Sequence, residues 1–270
     1  MKIVVAIDSF KGSVTSLEAG RAAEIGVKNA APNADVKVYP LADGGEGTCR
    51  TLTEGLSGEL KIVEVINPLG EKISAEYGKI GDLAVMEMAS AAGLALIPEN
   101  LRNPLNTTTF GVGEMILRAV QDGCKNFIIG IGGSATNDCG LGMLTALGFD
   151  FGCGIFGRDL ANVKKIDAEK VSAEIRSCNF RIACDVKNPL TGENGCSAVY
   201  APQKGANSET VKIMDGWIKN FSELSLKTFK PEKVSVSGDG AAGGLGFALR
   251  GVLGGKMHSG ARLIAGLVHL

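Results

Sequence analysis

"ELKIVEVINPLGEKISAEYGKIGDLAVMEMA", residues 59–89, holds three short runs of alternating apolar and polar residues, broken at Pro68-Leu69-Gly70 and at Gly81-Asp82. A period of two marks strands, and tight Gly- or Pro-bearing breaks turn one strand back on the next, so an antiparallel or mixed sheet is expected here. The preceding segment reads differently. "KIVVAID", residues 2–8, is a nearly continuous apolar run of the kind buried on both faces. A helix follows, opened by the capping box Thr15-x-x-Glu18 and reaching about Ala30, and "VKVYPLAD", residues 36–43, completes a βαβ unit. The change of pattern puts a domain boundary near residue 58 and predicts an α/β protein divided into residues 1–57 and 58–270.

Further elements continue the α/β alternation. A helix is expected from about Thr109 to Gln121, a strand over Phe127–Ile131, and another in "RIACDV", ending at Asp185. Ser208–Phe229 has Val211, Met214, Trp217, Ile218, Phe221 and Leu224 at helical spacing after a Ser208 cap, a face read as core.

Charge narrows the function. Lys and Arg number 28 against 29 Asp and Glu, a net charge of −1, so neither a nucleic-acid footprint nor a basic membrane patch is implied. The apolar stretches are too short to span a bilayer, and "MKIVVAIDSF" reads as a first strand rather than a secretion signal. Seven cysteines without a C-x-x-C pair are expected as reduced thiols of a soluble cytoplasmic protein. His258 and His269 are the only histidines, which argues against a Ser-His-Asp hydrolase or a His-rich metal site.

The chemistry gathers in four glycine-bearing turns: "DSFKGS" (8–13), "ADGGEGT" (42–48), "GGSATND" (132–138) and "GDGAAGG" (238–244). Glycines let backbone N–H groups approach an anion closely, and a helix start adds unpaired donors and partial positive charge. In open parallel sheets ligands bind beyond the carboxyl ends of strands, where Asp8 and Asp43 fall. No G-x-x-x-x-G-K-[ST] motif occurs. Phosphoryl transfer calls for donors and a cation around phosphates, carboxylates for Mg²⁺ and a group to take the acceptor's proton. Lys11 and the backbone of Gly132, Gly133, Ser134 and Ala135 suit the first role; Asp43, Glu46, Asp138 and Asp185 suit the others. A competing reading takes "GIGGSA" as a dinucleotide fingerprint with Asp150 as its ribose acid, in an NAD-dependent oxidoreductase.

"DSFKGS", "ADGGEGT", "RNPLNTTTFGVGE" (102–114), "GIGGSATNDCGLGML" (130–144), "CDVKNPLTGENG" (184–195) and "GAAGGLG" (240–246), in that order, resemble the bacterial glycerate kinase family. The resemblance implies ATP-dependent, Mg²⁺-assisted phosphorylation of glycerate in an interdomain cleft. It also implies a Rossmann-like or flavodoxin-like domain, begun by residues 1–57, with a large second α/β domain of mixed sheet inserted from residue 58.

On this pattern Asp185, Asp43 and Lys11 are the catalytic candidates, and Asp43, Glu46 and Asp185 the metal ligands. Gly132, Gly133, Ser134, Ala135, Thr136 and Asn137 are assigned to the nucleotide. Asp8, Ser9, Lys11, Arg102 and Asp138 are assigned to the substrate, Arg102 because a guanidinium fork fits a carboxylate. Cys139 stands where the family has glycine and suggests sensitivity to thiol reagents. The family pattern runs beyond residue 270, which implies either an incomplete member or a shortened relative: a homo-oligomer that covers its open sheet edge, or a non-catalytic nucleotide-binding protein.

Overall fold

The computed structural model of the chain describes residues 1–8, 10, 13–41, 47–260 and 263. Strand β1 (Lys2–Ile7), helix α1 (Ser16–Ala30) and strand β2 (Asp35–Pro40) form the expected βαβ unit, the strands pairing in parallel with Ile3 opposite Val36. Thr15 begins α1 as the sequence requires. Its hydroxyl accepts from the Glu18 N–H at 3.2 Å, and the Glu18 carboxylate accepts from the Thr15 N–H at 2.8 Å, so two orphan donors are satisfied at once.

Helix α2 (Thr48–Gly55) leads into a six-stranded sheet ordered β3 (Glu59–Ile66), β4 (Lys72–Ile80), β5 (Leu83–Glu87), β6 (Asn126–Gly130), β7 (Asn179–Ala183) and β8 (Lys256–His258). The first three strands are antiparallel neighbours and the last four are parallel, giving the mixed sheet that residues 59–89 foretell. Asn67 shapes the first turn, its side-chain oxygen accepting from the N–H groups of Leu69 and Glu71.

The pleat sends alternate residues of the parallel strands to opposite faces. Ala84, Met86, Phe127, Ile129 and Ile182 enter the large core, built with helices α3 (Ala89–Ala92), α4 (Phe110–Gln121), α5 (Leu141–Ala146), α6 (Ala173–Arg176), α7 (Cys196–Tyr200) and α8 (Ser208–Phe229). Leu83, Val85, Ile128 and Ala183 face the other way and pack with Cys49 and Leu52 of α2 and with Leu263. Thus α2 is seated on the larger sheet, although it precedes residue 58. Burying Leu52 stabilises this packing by about 2 kcal/mol.

Two local expectations change. Asn207, not Ser208, caps α8: its Oδ1 accepts from the Thr210 N–H at 2.9 Å, which makes Ser208 the first helical residue. Of the face read as core, Met214, Ile218 and Phe221 are buried, whereas Val211, Trp217 and Leu224 are half-buried. The "GAAGG" run is a tight turn in which Ala242, Gly243 and Gly244 all have positive φ. A Cβ on Gly243 would lie 2.0 Å from the Thr136 carbonyl oxygen, and the Gly243 carbonyl accepts from the Cys139 N–H at 3.0 Å. This contact locks two of the glycine turns together. The second is also braced by Asp239, which pairs with the nearly buried Arg250 at 2.6 Å.

Candidate active site

Beyond the carboxyl ends of β5, β6 and β7 lies a cleft with two chambers that share Leu94, Gly132 and Gly133. One, about 440 Å³, is walled by Ser134, Asp185, Tyr200, Lys204 and Ala242 among others. The second, about 590 Å³, is walled by Gly47, Cys49 and Arg50 at the start of α2 and by Glu76, Glu87 and Ser90. Either suits part of a small ligand.

The turn between the chambers is pinned from behind. The Leu94 N–H donates to the Gly133 carbonyl at 2.8 Å, and the Ala135 N–H donates to the Ala92 carbonyl at 2.9 Å. Among the described residues, the N–H groups of Gly132, Gly133 and Ser134 have no acceptor. Gly132 and Gly133 are solvent-exposed, and Gly133 sits at φ +73, a conformation that favours glycine. Open amides at a strand end form an anion cradle.

The second half of the motif faces inward. Ala135, Thr136, Asn137 and Asp138 are all buried, and none of them lines either chamber. Asn137 Nδ2 donates to the Ser197 hydroxyl at 2.9 Å, while Asn137 Oδ1 and the Thr136 hydroxyl have no partner among the described residues. Asp138, expected to bind substrate, instead supports the core. Its Oδ2 accepts from the Thr109 N–H and hydroxyl at 2.8 and 2.7 Å and from the Gly142 N–H at 3.2 Å. Its Oδ1 accepts from the Gly140 N–H at 3.2 Å. The carboxyl therefore occupies the start of α5, where the sequence suggests an external phosphate. Burial pushes its pKa up, and those donors pull it back down.

Of the remaining candidates, Asp185 is exposed in the cleft two residues past β7, with Oδ1 accepting from the Gly260 N–H at 3.3 Å. Asp8 is exposed just after β1 and lines neither chamber. Arg102 also lies outside the two walls; its backbone packs against Gly205, and its buried Nε has no partner among the described residues. Ser9, Lys11, Asp43 and Glu46 fall outside the described residues. Gly47, next in the chain after Glu46, stands in the wall of the second chamber.

Two wall residues escaped the sequence reading. Glu87 ends β5 and accepts from the Cys49 N–H of α2 at 2.8 Å; the strand-end rule that singles out Asp8 applies equally to it. Lys204 is 1% exposed, and its ammonium donates to the Ser134 hydroxyl at 2.7 Å and the Thr136 carbonyl at 2.6 Å. Burial pulls its pKa down from 10.5 to about 8, opposed by Cys196 and Asp138.

The folded chain thus releases this proton near pH 8, whereas the unfolded chain holds it to about 10.5. Below pH 8 the burial cost is fully present; between pH 8 and 10.5 it is relieved, so stability rises with pH. Wild-type protein is expected to gain on the order of 3 kcal/mol relative to Lys204→Met across that window. Denaturant titrations at several pH values check this.

Two sequence expectations are corrected here. Cys139 is fully buried and its thiol lies well above the ordinary range, so it is not a reactive group in the cleft. Alkylation of native protein is expected to spare Cys49, Cys124, Cys139 and Cys196 while labelling the half-buried Cys153, Cys178 and Cys184 slowly. Peptide mass spectrometry would expose the error if Cys139 were labelled first. Asp150, the proposed ribose acid, is exposed, pairs with Lys165 at 3.0 Å and lines neither chamber, so the dinucleotide reading loses its acid. All seven cysteines are free, and no helix among the described residues is long and apolar enough to cross a membrane.

Open strand-end amides, a buried lysine behind them and carboxylates around a two-chambered cleft define an α/β enzyme suited to a small anionic substrate. The glycerate kinase family model matches residues 3–270, and the chain belongs to that family. It is 44% identical to a glycerate kinase of Halalkalibacterium halodurans, over 97% of this chain and 71% of that one. It is 41% identical to glycerate 2-kinase of Escherichia coli K12, over 100% and 73%. A solved structure from Salmonella typhimurium LT2, provisionally described as glycerate kinase 2, superposes with a TM-score of 0.97 at 40% identity, over 100% of this chain and 74% of that one.

Proposed function

We propose that this chain catalyses ATP-dependent phosphorylation of a glycerate hydroxyl, giving phosphoglycerate and ADP. The observation that carries the reading is the Gly132–Ser134 turn, with both glycines exposed and all three amides without an acceptor among the described residues, in the wall of a cleft at the carboxyl ends of the parallel strands. Phosphate oxygens of the nucleotide fit that cradle, and family membership supplies the acceptor. Asp185 takes or orients the proton of the reacting hydroxyl, because it is the predicted carboxylate that the described cleft exposes.

Asp185 would also hold Mg²⁺ together with Asp43 and Glu46; when bound, the ion neutralises charge on the transferring phosphoryl group. Among the described residues no cluster of three metal-ligating side chains forms, and Asp43 and Glu46 lie outside them. The cleft receives walls from both α2 and the larger sheet, in keeping with a site between residues 1–57 and the rest of the chain. A cytoplasmic setting suits seven free thiols.

Purified protein supplied with Mg-ATP and D-glycerate is expected to release ADP in step with phosphoglycerate, with product NMR identifying the phosphorylated hydroxyl. ADP release independent of glycerate would defeat the assignment.

A further inference from the structure

Within "APQKGAN" Lys204 looks like any surface lysine, yet it is almost fully buried in the wall of the first chamber. Its two acceptors, the Ser134 hydroxyl and the Thr136 carbonyl, are neutral. No carboxylate is hydrogen-bonded to it among the described residues. A buried ammonium without a hydrogen-bonded counter-ion is costly, and an anionic ligand arriving at that point repays the cost. The Ser134 oxygen accepts from Lys204, which leaves its own O–H to donate, and no described residue accepts it. Gly132, Gly133 and Ser134, whose amides have no acceptor among the described residues, line the same chamber as Lys204.

We propose that Lys204, the Ser134 hydroxyl and the Gly132–Ser134 amides form one oxyanion subsite, with Lys204 as the counter-ion of the bound group. The proposal deepens the kinase reading and rests on it. The oxyanion has two possible sources, a phosphate of the nucleotide or the carboxylate of glycerate, and the experiment separates them. The titratable groups acting on Lys204 are Cys196 at the start of α7 and Asp138 before α5; Asp185 and Tyr200 line the same chamber. Because burial holds Lys204 near 8, its charge is present at neutral pH and fades above.

The test is calorimetric binding of inorganic phosphate, ADP and D-glycerate, each alone, to wild type, Lys204→Met and Ser134→Ala. Measurements run from pH 7.5 to 9.5, with the remaining titration of phosphate at the low end corrected from a protein-free control, and thermal melts confirm that each variant is folded. At pH 7.5 Lys204→Met is expected to bind phosphate and ADP at least tenfold more weakly. Wild-type affinity should decline as pH passes 8, while the variant's stays flat. A loss confined to D-glycerate supports the subsite and assigns it to the carboxylate.

Equal binding by wild type and Lys204→Met, a flat wild-type pH profile, or no binding of any probe by wild type overturns the proposal. The wild-type profile decides the matter even if both variants fail to fold. Failure of the kinase reading looks different: wild type binds the probes with this pH dependence but transfers no phosphoryl group to glycerate.

Discussion

Asp185→Asn is expected to lower kcat by about 10²–10⁴ while leaving the melting temperature nearly unchanged. Asp185 stands exposed past the end of β7, and its described hydrogen bond is one long contact from the Gly260 N–H. Asn keeps the size and can still accept that bond, so the fold loses within about 0.5 kcal/mol. It cannot take a proton from a hydroxyl or offer a full negative charge to a cation. Steady-state kinetics at saturating Mg-ATP and D-glycerate, run beside a thermal melt, separate the two effects. A kcat within threefold of wild type would remove Asp185 from the mechanism.

Asp138→Ala is expected to do the opposite, costing about 3–5 kcal/mol of stability because its donors lose a buried acceptor. Four N–H and O–H groups from Thr109, Gly140 and Gly142 converge on this carboxyl, and all are buried with it. For a chain of this length the loss corresponds to a fall in melting temperature of roughly 10 °C. Differential scanning calorimetry measures it directly. A variant that melts like wild type but has a raised KM for glycerate would return Asp138 to the substrate.

The contrast between these two aspartates shows how far the sequence could be read. Both follow glycine-rich or strand-end signals, and the strands themselves were legible from the alternation in residues 59–89 and the apolar run of residues 2–8. That run is not buried on both faces, however: β1 alternates exposed and half-buried residues, and Val4 is 52% exposed. The Thr15-Glu18 capping box was legible for the same reason: its partners are three residues apart. What local pattern does not encode is which side of a turn meets the core. "GGSATND" reads as one polar loop, yet it divides after Ser134, because residues 135–138 are covered by the 240–244 turn, α4, α7 and α8 from elsewhere in the chain.

Lys204 was invisible for a related cause. A single lysine in a Pro- and Gly-flanked segment is ordinarily solvent-exposed, and only the path of the chain past Ser134 buries it. Glu87 is legible by contrast, because the rule that ligands gather at strand carboxyl ends applies to β5 as it does to β1. The large sheet starts at Glu59, while α2, from before residue 58, packs on it through Leu52 and Cys49, a contact that no local periodicity announces.

The central claim is that the turn at Gly132–Ser134 holds the reacting phosphates beside Asp185. A crystal structure with a non-hydrolysable ATP analogue, Mg²⁺ and D-glycerate tests it most directly. Phosphate oxygens are expected within hydrogen-bond distance of the Gly132, Gly133 or Ser134 amides, with a glycerate hydroxyl against the Asp185 carboxylate. Phosphates bound elsewhere, with those amides still facing solvent, would contradict it.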